Sequence, residues 1–153
     1  MKSKIARTIV TGLIATAVMT IVGLMAPYMG LSRMNQAEML SKMMGISLVI
    51  GYLMHGLIGV IFASAYVYIF NPKVHVSSKV LKGLLFGLSV FVFAQVMMLL
   101  MGMAMPMPPM GDKMLLMVGA VIGHLVYGVI VALMVPNYAV ATSERKFKTA
   151  HAY

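Results

Sequence analysis

The sequence predicts an all-α integral membrane protein: four transmembrane helices as two parallel-repeat helical hairpins, with a short interfacial helix in the first outer loop. Three observations carry this reading. Of 153 residues, 61% are hydrophobic, and the mean hydropathy is +0.97. Four apolar stretches, at roughly residues 6–27, 47–70, 80–103 and 114–135, each reach the ~20 residues that cross the hydrocarbon of a bilayer. Finally, Gly51, His55, Gly59 and Ala63 recur as Ala120, His124, Gly128 and Ala132, 69 positions later. The spans leave no room for a soluble catalytic domain, so residues 1–153 are expected to form a single membrane domain.

The first span follows Lys2, Lys4 and Arg7 and has the charge profile of a signal peptide. Its apolar run is longer than a signal core and no cleavage site precedes a polar domain, so it is expected to be a retained helix. After it, Asn35 followed by Glu38 forms a capping-box pattern opening a short helix to about Met44. Met34, Met39, Leu40 and Met43 give that helix an apolar side, which is expected to lie flat on the outer interface. The second span should stop at the turn Asn71-Pro72-Lys73. The third runs into the outer loop 105–112, whose prolines fix φ and lack donors. The fourth ends before the basic stretch Arg145-Lys146-Phe147-Lys148, expected to lie near anionic headgroups.

The formal charge is +9, from 12 Lys and Arg against 3 Asp and Glu. With four spans, nine of the cations fall on one side, and only Arg33, Lys42 and Lys113 on the other. The positive-inside rule then puts both termini and the 71–79 loop in the cytoplasm. Membrane topology explains the charge, so no nucleic-acid partner is implied. The partners expected are the lipid bilayer and either other membrane subunits or a second copy of the chain. Tyr66, Tyr68 and Tyr138 fall where aromatic rings anchor helices at the inner interface.

The repeat extends beyond the two histidine faces. Lys4-Ile5-Ala6-Arg7 matches Lys79-Val80-Leu81-Lys82, and Gly12-Leu13 matches Gly87-Leu88, an offset of 75 positions. Repeat units at about residues 4–70 and 79–135 then share one orientation, which predicts a pseudo-twofold axis along the membrane normal. Four-residue spacing puts the small residues on one helical face, and such faces let transmembrane helices approach closely. The second and fourth spans are therefore expected to cross at these faces. Thr20 and Gln95 align under the same offset.

The run Gly12-Leu-Ile-Ala-Thr-Ala-Val-Met19, the segment Met54-His55-Gly56-Leu-Ile-Gly59, the stretch Lys82-Gly-Leu-Leu-Phe-Gly87, and Gly123-His124-Leu-Val-Tyr127-Gly128 resemble an uncharacterised family of small four-helix bacterial membrane proteins. The resemblance covers nearly the whole chain, and its most specific part is the paired histidine motif. The wording is most similar to Bacteroidota-type members. The resemblance implies this topology, in a bacterial inner (cytoplasmic) membrane, but carries no activity.

An ionisable group inside a span is a functional-site hypothesis by default. His55 and His124, repeated at equivalent depth, are candidate axial ligands for haem b, with Gly59 and Gly128 leaving room for a porphyrin and Gln95 anchoring a ring nitrogen. Of the 19 methionines, Met105, Met107, Met110 and Met117 are candidate thioether ligands for Cu(I), a soft ion. The plainer alternatives are that the histidines make interhelical hydrogen bonds and that the methionines fill space.

Several functions are argued down. The spans contain no Asp or Glu for a carboxylate-driven antiporter, and no nucleophile, base and oxyanion set is visible, so no enzyme is expected. The absence of cysteine removes thiolate chemistry. His75 and His151 fall in cytoplasmic segments. Three function classes follow: an accessory subunit of a membrane redox or metal-handling complex, a structural or assembly protein without cofactor, and a small-solute carrier.

Overall fold

The computed structural model describes residues 2–105 and 112–138. Five helices occur there: α1 (Lys2–Met25), α2 (Gln36–Met44), α3 (Leu48–Ala65), α4 (Lys79–Ala104) and α5 (Lys113–Met134). No strand occurs among the described residues. With its continuing 3₁₀ turn, Ala26–Met29, α1 is long and apolar enough to cross a membrane, and so are α3, α4 and α5. These four elements match the four apolar stretches of the sequence to within a few residues.

Local chemistry sets the helix boundaries. The Asn35 side chain accepts from the Glu38 N–H at 3.1 Å, capping α2, and Gly45 ends that helix at φ 64°, a conformation glycine adopts without a Cβ clash. Ser47 caps α3 and Ser78 caps α4, each through its hydroxyl. Asp112 caps α5 by accepting from the Met114 and Leu115 N–H groups.

One boundary differs from the sequence reading. Asn71-Pro72 does not stop the second span. The helix widens into a π turn, Tyr66–Phe70, and continues for one further turn, Asn71–Lys73. A proline in an ordinary α-helix clashes with the carbonyl four residues back. The wider π geometry, in which the Asn71 N–H reaches Tyr66 O, accommodates Pro72.

The packing order is α3, α1, α5, α4: α1 lies against both α3 and α5, and α4 lies against α5. The expected crossing of the second and fourth spans does not form, because each small-residue face has another partner. On α3, Gly59 faces the Thr16 side chain, and a Cβ at Gly12 would come within 2.7 Å of Val60 Cα. On α5, Gly128 faces the Gly83 carbonyl and Gly87, with 2.7 Å between its would-be Cβ and Gly87 Cα. The contacts thus equate Gly12 with Gly83 and Thr16 with Gly87, an offset of 71, one helical turn short of the 75 suggested by sequence. Between α3 and α5 there is one polar bridge, from the Tyr127 hydroxyl to Gly59 O at 2.6 Å.

Aromatic rings fill the space between α3 and α4. Phe62 meets Phe93 with centroids 5.5 Å apart, and Phe86 meets Tyr66 and Phe70 at 4.9 and 5.1 Å. These rings join the buried core of Met19, Ala63, Val90, Val131 and Ala132. At the opposite end lies α2. It packs across α3, where Gly51 lets the Ala37 carbonyl approach closely, and it buries Ala37 and Met43. Its apolar side is satisfied by the bundle itself.

A histidine and methionine cavity

A cavity of about 280 Å³ lies inside the bundle toward the α2 end, and both His55 and His124 line it. Each reaches it from the small-residue stripe of its helix. His124 Nδ1 lies 2.7 Å from Ala120 O. A carbonyl only accepts, so Nδ1 carries the proton; in the neutral ring Nε2 then holds a lone pair. The Phe91 ring packs edge-on against this imidazole at 5.8 Å. His55 is 8% exposed, and its buried Nδ1 has no hydrogen-bond partner among the described residues. A buried ring nitrogen without a partner is uncommon, because burying a polar group unpaired carries a penalty.

Five thioethers complete the lining: Met19 from α1, Met39 from α2, and Met97, Met98 and Met101 from α4. Thr16, Tyr127, Phe62 and Phe93 are among the other walls, and Gln36 and Leu40 of α2 close one end. Asn35 Nδ2 donates to the Tyr52 hydroxyl at 2.9 Å, tying the start of α2 to α3. Beside α2's exposed face, Lys42 holds the Glu38 carboxyl below the usual carboxylate range through a 2.8 Å ion pair.

The candidate residues divide as follows. His55, His124 and Gly59 share the cavity. Gly128 does not line it, because that glycine is consumed in the α4–α5 contact. Gln95 of α4 is also absent from the lining, which α4 supplies with Val90, Phe93, Ala94, Met97, Met98 and Met101. Met105, 37% exposed, and Met117, 47% exposed, lie on the outside of the bundle. Met107 and Met110 fall outside the described residues. The methionines that share the cavity with the histidines are therefore not the loop methionines but those one or two turns deeper on α4, together with Met19 and Met39. Thr20 bonds its own helix at Thr16 O and lines a separate groove between α1 and α3, which His55 also borders.

A second polar cluster escaped the sequence reading. Lys82, one of the nine cations on the side expected to be cytoplasmic, is 0% exposed. Its ammonium donates to Asn71 O at 2.9 Å, Asn71 Oδ1 at 2.8 Å and Asn137 Oδ1 at 3.0 Å. Asn71 Nδ2 in turn donates to Pro136 O, and Asn137 Nδ2 donates to the Val76 and Ser77 carbonyls. The cluster ties together the ends of α3, α4 and α5 where the chain begins and α5 finishes. The available sequence signal was the pair of asparagines beside prolines, Asn71-Pro72 and Pro136-Asn137, each near the end of a span.

Among the described residues no group of three or more His, Cys, Asp or Glu is assembled, so any metal held here would rest on imidazole and thioether ligands. No curated protein and no solved structure matches the chain. The match that does exist covers residues 2–146, and by it the chain belongs to a family of unknown function (DUF6789).

Proposed function

We propose that this is a polytopic protein of a bacterial cytoplasmic membrane, with both termini cytoplasmic, that holds a soft monovalent metal ion, Cu(I), in the His55–His124 cavity as an accessory subunit of a metal-handling or redox complex. The observation that carries the reading is that two histidines and five methionines line one cavity between the helices. Thioether and imidazole suit Cu(I), while the absence of a carboxylate from the lining argues against hard ions such as Mg²⁺ or Ca²⁺. The unpartnered His55 Nδ1 and the Nε2 lone pair of His124 are the two nitrogen donors. The protein performs no reaction of its own in this reading.

The same histidines are candidate haem ligands, but the metal form of the reading has better support. A space of about 280 Å³ is at the low end of small-molecule pockets, roughly 300–1,000 Å³. Gly128, needed to make room for a porphyrin, is packed against α4. The duplicated hairpins, α1 with α3 and α4 with α5, belong to this proposal as a parallel repeat that delivers one histidine from each half.

The test is an anaerobic titration of the detergent-purified chain with Cu(I) against a chromogenic chelator, with spectra of oxidised and reduced samples. One Cu(I) per chain is expected, lost in the His55→Ala, His124→Ala double variant and weakened by Met98→Leu. An unchanged titration in the double variant refutes the site, and a Soret band in the untreated protein returns the histidines to haem.

A further inference from the structure

The end of the bundle that carries the chain start and the finish of α5 concentrates positive charge without visible compensation. Lys82 is buried, and all three of its N–H bonds go to neutral oxygens. Its hydrogen bonds are satisfied, but its charge is not. Buried charges are normally paired with an opposite charge. The chain has three acids: Glu38 and Asp112 adjoin the opposite end, and Glu144 lies outside the described residues.

A pocket of about 360 Å³ adjoins this lysine, and Asn71, which takes two of the ammonium's bonds, forms part of its wall. Lys4 and Arg7 stand at its rim, three positions apart on one face of α1, close to the positive end of that helix's dipole. The Lys4 ammonium lies 4.6 Å from the Tyr68 ring centroid, and neither cation has an acidic partner among the described residues. Two like charges at this spacing repel one another unless an anion sits between them. Val67 and Val135 give the pocket an apolar side.

We propose that this pocket binds the phosphate of an anionic phospholipid headgroup, held by Arg7 and Lys4, with the buried Lys82 charge acting through Asn71. The guanidinium fork matches phosphate oxygens in pairs. The site sits where the first span begins, at headgroup level, and the valines line the path that the acyl chains take into the bilayer. The bound anion supplies the countercharge that the described residues lack.

The test is lipid binding to the full-length chain in a neutral detergent, read by native mass spectrometry and by thermal melting. The probes are dioleoylphosphatidylglycerol, dioleoylphosphatidylcholine and inorganic phosphate. Phosphatidylglycerol should bind selectively and raise the melting temperature. Its affinity should fall about five-fold in Lys4→Gln or Arg7→Gln and about thirty-fold in the double variant, the worth of one and two basic groups beside an anionic surface. Arg33→Gln, at the opposite end, should leave it unchanged. Equal binding of phosphatidylcholine, or full phosphatidylglycerol affinity in the double variant, overturns the proposal. Inorganic phosphate that displaces the lipid and reproduces its thermal shift would keep the phosphate chemistry but overturn the lipid as its source.

Discussion

Three glycine-to-alanine substitutions should rank in a definite order of stability, because the added methyl meets three different neighbours. At Gly128 it would lie 2.7 Å from Gly87 Cα and closer still to the Gly83 carbonyl oxygen. Carbon atoms rest about 3.5–4.0 Å apart, so α4 and α5 must separate by roughly 1 Å. A gap of that size forfeits a quarter to a half of each dispersion contact, and overpacking of this kind costs about 1–3 kcal/mol. Alanine's helix propensity returns about 1 kcal/mol, leaving a net loss of up to about 2 kcal/mol for Gly128→Ala. At Gly59 the methyl meets the Thr16 side chain, which can rotate, at the expense of its 2.8 Å bond to Gly12 O. That bond contributes about 1 kcal/mol, so Gly59→Ala should come out near neutral. At Gly56 the nearest atom is Leu13 Cδ2 at 3.5 Å, an ordinary contact, and Gly56→Ala should gain up to about 1 kcal/mol. Unfolding of the three variants in mixed detergent micelles, followed by far-ultraviolet circular dichroism, reads the order directly. If α3 and α5 crossed at their small faces, Gly59 and Gly128 would suffer alike. Finding Gly128→Ala as stable as Gly56→Ala would refute the packing described.

The remaining expectations concern polar groups. Tyr127→Phe removes the hydroxyl bond to Gly59 O and should cost about 0.6 kcal/mol, and no more than about 1.7, in the same unfolding assay; a larger loss would mean the ring packs differently. Lys82→Met leaves Asn137 Oδ1 without the ammonium, while Asn71 Oδ1 keeps the Tyr138 N–H at 3.2 Å, so the expected loss is about 1–3 kcal/mol, and an unchanged melting temperature would contradict the buried cluster. Glu38 has a folded pKa below its unfolded one, so its contribution is present above the unfolded value and is lost as pH falls through the folded one. The pair with Lys42 is exposed and contributes only about 0.3–0.5 kcal/mol, so the protection factors of the α2 amides, taken relative to intrinsic exchange at each pH, should fall slightly from pH 7 to pH 3, and Glu38→Gln should abolish the difference.

How much of this was legible depended on the range of the interaction involved. The four spans follow from local hydropathy, and α2 follows from a cap three residues long, so both could be read directly. The small-residue faces were also visible, but a row of glycines states that some backbone comes close and not whose. Gly59 and Gly128 both lie on such rows, yet one meets α1 and the other α4. The repeat offset failed for a related reason. A shift of four residues, from 75 to 71, keeps every side chain on the same helical face, so periodicity cannot distinguish the two. The histidine pair was readable as a pair, whereas its methionine company was not. With 19 methionines to choose from, only the rotation of α4 about its axis selects Met97, Met98 and Met101 over Met105. The burial of Lys82 was not legible, because a lysine at the start of a span normally marks topology alone. Its burial depends on Asn71 and Asn137, 11 and 55 positions away.

The same packing that displaced the expected crossing creates the cavity. Had α3 and α5 met at their glycine faces, His55 and His124 would have lain in a closed helix–helix seam with no space between them. Instead each glycine face is occupied by another helix, α1 for α3 and α4 for α5. The two helix pairs then join mainly through α1 and α5, while α3 and α4 meet through the side chains of Phe62, Tyr66, Phe70, Phe86 and Phe93. These bulky rings hold the helices apart where small residues would have drawn them together. Beyond the rings, toward α2, no aromatic pair bridges α3 and α4 among the described residues, and the histidines and thioethers face the remaining space. The Lys82 cluster fixes the other end, so movement of α3 relative to α4 is easiest at the cavity. The α2 helix, attached to α3 through the Gly51 contact and the Asn35–Tyr52 bond, supplies Gln36, Met39 and Leu40 to the cavity wall at that end. Cutting that bond with Tyr52→Phe should therefore speed loading and release of whatever the cavity holds, while leaving the His55 and His124 donors in place. Faster exchange of Cu(I) at unchanged stoichiometry is the expected result, and unchanged exchange kinetics would show that access runs instead through the groove between α1 and α3 that His55 also borders.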